Sequence, residues 1–153
     1  MDNRITVLYV DDNPKSSRLL TSVLEECGFR VISRNDPVES LALCRRTYFD
    51  LALLDYEMPS MTGAKLAREI KYLMPDIPVV LISGRLTLPP AELEFVDAHF
   101  GFGTSLDDLL WSMRILVPAR LVVQKGVATH HPSLHVEESE HRHMIDSRWA
   151  DST

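Results

Sequence analysis

Short apolar runs alternate with amphipathic stretches five times along this chain, and that alternation restricts the fold more than any other feature. Residues 5–10, ITVLYV, are nearly all apolar and rich in β-branched side chains. Such a run suits a strand buried on both faces, as in a parallel sheet. From Lys15 to Cys27 apolar residues fall at Leu19, Leu20, Val23, Leu24 and Cys27, which is helical spacing, and Gly28 follows as a stop. The spacing predicts further strands over 30–33, 51–54 and 78–83, with a short fifth one at Ala98-His99-Phe100. Helices are expected after Asn35-Asp36-Pro37, from Thr62 to Leu73, and after a Ser105 cap up to Pro118. Between Gly84 and Val96 two prolines leave room only for a short helix, from about Pro90 to Val96. Strand–helix alternation of this kind implies right-handed crossovers and a parallel α/β sheet covered on both faces.

Bulk properties narrow the function classes. A chain of 153 residues, 45% hydrophobic and 25% charged, can build one domain with a real core. The net charge of −6 and the lack of a Lys/Arg block argue against a nucleic-acid-binding surface. No apolar run approaches a membrane span, and MDNRITVLYVDD does not read as a signal peptide. Cys27 and Cys44 lack metal-ligand spacing and read as reduced thiols, so a cytoplasmic location is expected.

A doubly wound sheet binds ligands outside the carboxyl ends of its strands. After the first strand stand Asp11 and Asp12, after the third Asp55, and after the fourth Ser83. One aspartate at a strand end is ordinarily a turn or cap residue. Three converging carboxylates repel one another unless a cation or proton intervenes. Oxygen-only ligands favour a hard ion such as Mg²⁺, which also accepts phosphate oxygens. Beside it, Asp55 could attack a phosphoryl donor and form an acyl phosphate, with Ser83 bonded to a phosphoryl oxygen.

In VLYVDDNP, LALLDYEMPSMTG, VVLISG and DAHFGFGTSLDDLL the chain resembles the receiver domain of two-component response regulators, over roughly residues 4–117. The resemblance implies a flavodoxin-like (βα)5 sheet in the order 2-1-3-4-5. It implies that Asp55 takes a phosphoryl group from a histidine kinase or phosphotransfer protein. Asp11, Asp12, Asp55 and the backbone carbonyl of Glu57 would hold Mg²⁺. Ser83 would act as the switch hydroxyl, signalling through the face of helix four, strand five and helix five. The protein would be a phosphoacceptor rather than an enzyme, at most catalysing its own phosphorylation and dephosphorylation. A haloacid-dehalogenase-type phosphatase fits poorly, because its nucleophile opens a DxD motif on the first strand.

The sequence departs from the family at one side of that site. Phe102 stands where the family has a lysine, and neither lysine nor arginine occurs between Arg85 and Arg114. His99 takes the position of an aromatic switch residue. Lys15 and Arg85 are the nearest candidate substitutes, and Arg85 is expected to pair with Glu57 across the mouth of the site. Gly84 cannot shield an acyl phosphate from water, so a short-lived phosphoryl form is expected.

Residues 118–153 change in character. They hold five of the six histidines, and Trp149 near their end, but show no recognition helix or further catalytic motif. They read as a mostly disordered tail without an output domain, and Arg120–Val123 could add a short strand or cover an apolar patch. The sequence therefore reads as a single-domain response regulator, residues 1–117 with a tail, that acts by protein contact. The alternative is a phosphorylation-independent pseudo-receiver serving as an interaction module. Neither nucleic acid nor membrane is expected as a partner, and homodimerisation is left open.

Overall fold

The computed structural model describes residues 2–101 and 103–117. Ten elements follow one another as β1 (Thr6–Val10), α1 (Pro14–Glu26), β2 (Arg30–Arg34), α2 (Pro37–Cys44), β3 (Leu51–Asp55), α3 (Gly63–Leu73), β4 (Val79–Ile82), a 3-10 turn (Pro90–Leu93), β5 (Ala98–Phe100) and α4 (Leu106–Leu116). The five strands form one parallel sheet in the order β2-β1-β3-β4-β5, as expected.

Each helix begins where its sequence supplies a cap. Asn13 accepts from the Lys15 and Ser16 amides, and Pro14 occupies the first turn, where its missing N–H costs nothing. Asp36 caps α2 through the Glu39 amide, Thr62 caps α3 through Lys65, and Ser105 caps α4 through Asp108. Gly28 ends the α1 region at φ +89°, a conformation that disfavours side chains.

The short helix expected from about Pro90 to Val96 is not α-helical. It reduces to the 3-10 turn, so four α-helices are present among the described residues. Pro89 and Pro90 remove two backbone donors, and no side chain caps this turn.

Strand side chains alternate between two cores. Val7, Tyr9, Leu51, Leu53, Val80 and Ile82 pack with α1 and α4. Leu8, Val10, Ala52, Leu54, Val79 and Leu81 pack with α2 and α3. Cys44 is buried and Cys27 half-buried, and burial raises the pKa of both thiols and keeps them protonated.

At the amino edge of the sheet one device occurs twice. Asp50, just before β3, donates its amide to the Thr6 carbonyl of β1, and its carboxylate accepts the Thr6 amide at 2.7 Å. Asp97, just before β5, does the same to Val79 of β4, with a carboxylate distance of 2.7 Å. Lys71 of α3 adds a 2.8 Å ion pair to Asp97. Each aspartate thus fixes the register of its strand against the neighbour at the end opposite the acids.

Candidate functional site: the carboxyl edge of the sheet

The sheet order brings the strand ends together. β1 and β3 are neighbours, as are β3 and β4, and Asp55 pairs in register with Ile82, one residue before Ser83. Asp11, Asp12 and Asp55 each offer a carboxylate oxygen within 4.8 Å of the others. Asp11 is fully buried, Asp55 nearly so, and Asp12 half-buried. None of the three caps a helix, since Asn13 and Thr62 take that task for α1 and α3.

Asp11 is oriented by the fold around it. The Tyr9 phenol donates to its Oδ2 at 2.6 Å, and the Asn13 amide donates to Oδ1 at 3.0 Å. Asn35 Nδ2 donates to its backbone carbonyl at 2.7 Å. A carboxylate oxygen has two lone pairs, so it can accept a hydrogen bond and also ligate a cation. Three carboxylate donors at the end of rigid strands suit a hard divalent ion, and mutual repulsion is what such an ion relieves.

The turn after Asp55 is built by close approach. A Cβ on Gly63 would lie 2.3 Å from the Asp55 carbonyl oxygen and 2.7 Å from a Leu81 methyl. The glycine lets α3 start directly against the strand end. The Gly63 amide donates to the Tyr56 carbonyl at 3.1 Å, and the side chain of Met58 is buried in the α3 core.

The β4 side has a different character. Ser83 is fully buried, and its hydroxyl donates to Glu57 Oε1 at 2.9 Å. The Gly84 amide donates to Glu57 Oε2 at 3.2 Å. Arg85 Nε lies 3.7 Å from Glu57 Oε1, and its guanidinium sits over the Tyr56 ring at 5.6 Å. With the Arg85 side chain 63% exposed, that ion pair adds little by itself. A Cβ on Gly101 would come within 2.4 Å of the Arg85 carbonyl, so the end of β5 holds this loop closely. His99 lies opposite Leu81, and its Nε2 is shut from solvent without a hydrogen-bond partner among the described residues. Burial depresses the His99 pKa, with the Glu57 charge opposing. Lys15 is exposed at the start of α1. Phe102 and the tail, with Trp149, lie outside the described residues.

Three contacts are not apparent from the sequence. Tyr9 passed as one more apolar strand residue, although a tyrosine two positions before an aspartate shares its strand face. Asn35 passed as part of a helix start. The expected Arg85–Glu57 pair is present at 3.7 Å, but nothing local signals that the Glu57 carboxylate also accepts from the Ser83 hydroxyl and the Gly84 amide.

Comparison with known proteins agrees with this geometry. Residues 7–98 match the response regulator receiver domain model. The two-component response regulator ORR22 of Oryza sativa subsp. indica is 40% identical over 79 residues, 50% of this chain and 11% of that protein. The cyclic di-GMP phosphodiesterase response regulator RpfG of Xanthomonas campestris is 35% identical over 86 residues, 54% of this chain and 23% of its own length. The chain thus spans a minor part of these relatives. Among solved structures, a CheY-like receiver domain protein from Methanospirillum hungatei aligns with a TM-score of 0.68 and 26% identity, over 80% of this chain and 97% of that one. TrrA of Thermotoga maritima, solved in complex with Mg²⁺-BeF, gives 0.69 and 25%, over 74% and 99%. TrrA has also been solved in complex with the histidine kinase ThkA. With the 2-1-3-4-5 sheet, the acids at its carboxyl edge and a family match over most of the described fold, this chain belongs to the response regulator receiver domain family of two-component systems.

Proposed function

We propose that this receiver domain accepts a phosphoryl group on Asp55 from a phosphohistidine partner, a histidine kinase or phosphotransfer protein. The observation that carries the reading is the convergence of three carboxylates at the end of β1 and β3, none of them used to cap a helix. The carboxylates of Asp11, Asp12 and Asp55, with the Glu57 backbone carbonyl, would hold Mg²⁺. When bound, the ion offsets the negative charge that gathers during phosphoryl transfer. An Asp55 oxygen bonds to phosphorus as the P–N bond of the donor breaks, and the imidazole leaves and takes a proton on the released nitrogen. Ser83 donates a hydrogen bond to the phosphoryl group. The signal passes by protein contact through the face made by the 3-10 turn, β5 and α4. The known complexes of TrrA with Mg²⁺-BeF and with a histidine kinase support this reading by family likeness. No helix among the described residues is long and apolar enough to cross a membrane.

A phosphorylation-independent interaction module is the second reading, favoured by the lack of a cation between Arg85 and Arg114. Intact mass after incubation with acetyl phosphate and Mg²⁺ separates the two. A phosphoryl adduct on the wild type, lost in Asp55→Ala, is the expected result. Absence of an adduct, together with failure of beryllofluoride and Mg²⁺ to bind, overturns the phosphoacceptor reading in favour of the second.

A further inference from the structure

Both oxygens of the Glu57 carboxylate are held by separate donors of the loop after β4. The Ser83 hydroxyl takes Oε1 at 2.9 Å and the Gly84 amide takes Oε2 at 3.2 Å. The Arg85 amide in turn donates to Ser83 Oγ at 3.0 Å, which sets the hydroxyl and the Gly84 amide side by side. A hydroxyl and an adjacent amide that converge on two oxygens of one anion form an anion clasp. That clasp opens one residue beyond Ile82, the register partner of Asp55. It therefore borders the strand end that carries Asp55.

We propose that Glu57 is the resident occupant of this clasp, an internal carboxylate that an arriving phosphoryl group must displace. The inference rests on the reading of Asp55 as phosphoacceptor. Two effects act in the same direction. The carboxylate uses the donors that the phosphoryl group needs, and its charge repels that group. Glu57 nevertheless has a role before phosphorylation: it gives the buried Ser83 hydroxyl an acceptor. Arg85, 3.7 Å from Oε1, stands where it can keep the displaced carboxylate near the mouth of the site. Glu57 thereby determines how readily this receiver takes a phosphoryl group, a task separate from that of its backbone carbonyl.

Calorimetric titration of the full chain with beryllofluoride in saturating Mg²⁺ tests this, with Glu57→Gln and Glu57→Ala beside the wild type. Both variants retain the backbone carbonyl. Loss of one competing charged hydrogen-bonded contact predicts about tenfold tighter binding by Glu57→Ala, with Glu57→Gln between the two. The Gly84 amide resonance, recorded without any ligand, is expected to move upfield in Glu57→Ala. Equal or weaker beryllofluoride binding by Glu57→Ala than by the wild type overturns the displacement while leaving Asp55 as acceptor. Binding by none of the three proteins overturns the displacement, and together with the absence of a phosphoryl adduct it overturns the acceptor reading as well. An unmoved Gly84 resonance shows that the carboxylate does not sit in the clasp and also overturns it.

Discussion

At the β1 and β3 end of the carboxyl edge, a buried phenol and a turn amide hold the Asp11 carboxylate, and a glycine lets α3 start against the Asp55 backbone. At the β4 and β5 end, the loop after β4 is held by one partly exposed carboxylate, and the connection that follows is a 3-10 turn instead of a helix. The first half is preorganised around three converging carboxylates. The second half is closed on a side chain of the protein itself. On the function proposed above, receiving a phosphoryl group and reporting it are separable demands, and the first draws on the more rigidly built half of the edge.

The largest expected effect that tests this contrast comes from its two close-packed glycines. Gly63→Ala forces a Cβ against the Asp55 carbonyl and should cost about 3 kcal/mol in urea unfolding, with weakened Mg²⁺ binding. Gly101→Ala strains the opposite loop against Arg85 and Leu86, and should leave Mg²⁺ affinity unchanged while reducing stability. If both variants lose Mg²⁺ equally, the two halves are one unit and the contrast fails.

A smaller effect is expected from Tyr9→Phe. It removes a hydrogen bond to a buried carboxylate and should destabilise the protein by about 2 kcal/mol in chelator. Thermal unfolding with and without Mg²⁺ should show the deficit shrinking as the ion takes over the freed oxygen. A deficit unaffected by Mg²⁺ would mean that the phenol serves packing alone.

The smallest effect concerns His99. Its folded pKa is depressed by burial, so between that value and the ordinary 6.5 the unfolded chain binds more protons. Stability contributed by the neutral ring is therefore present above about pH 6.5 and is lost as pH falls through the folded pKa. His99→Phe should flatten the decline of stability below that pH. A wild type and variant with parallel pH profiles would remove His99 from the account of the β5 side.

What the sequence disclosed follows from how local each signal is. Strands β1, β3 and β4 are apolar runs, and Asn13, Asp36, Thr62 and Ser105 are recognisable caps, so elements and their order could be read along the chain. The meeting of Asp11, Asp12 and Asp55 follows from topology once parallel pairing is accepted. Pro89-Pro90 limited the fourth helix in advance, but whether one turn would become α or 3-10 depends on capping that no nearby residue provides. Glu57 was the harder case. Its pairing with Arg85 follows from opposite charges at the mouth of the site, but its hydrogen bonds to Ser83 and Gly84 exist only because β3 and β4 lie side by side, and no sequence pattern specifies them. Tyr9 was hidden for the opposite reason, because a strand core tolerates its ring and nothing marks the hydroxyl.

The aspartates at the far edge have a consequence for how such a chain can vary. Asp50 and Asp97 each clasp both backbone groups of the first residue in the adjacent strand, so alignment is settled before the chain reaches the acids. A strand slipped by one residue would turn its side chains to the wrong face and break this clasp at the same time. Loops at the carboxyl edge are then free to shorten, lengthen or exchange residues without shifting the strands beneath them. The chain can replace a helix by a single turn and still deliver Ser83 one step beyond the partner of Asp55.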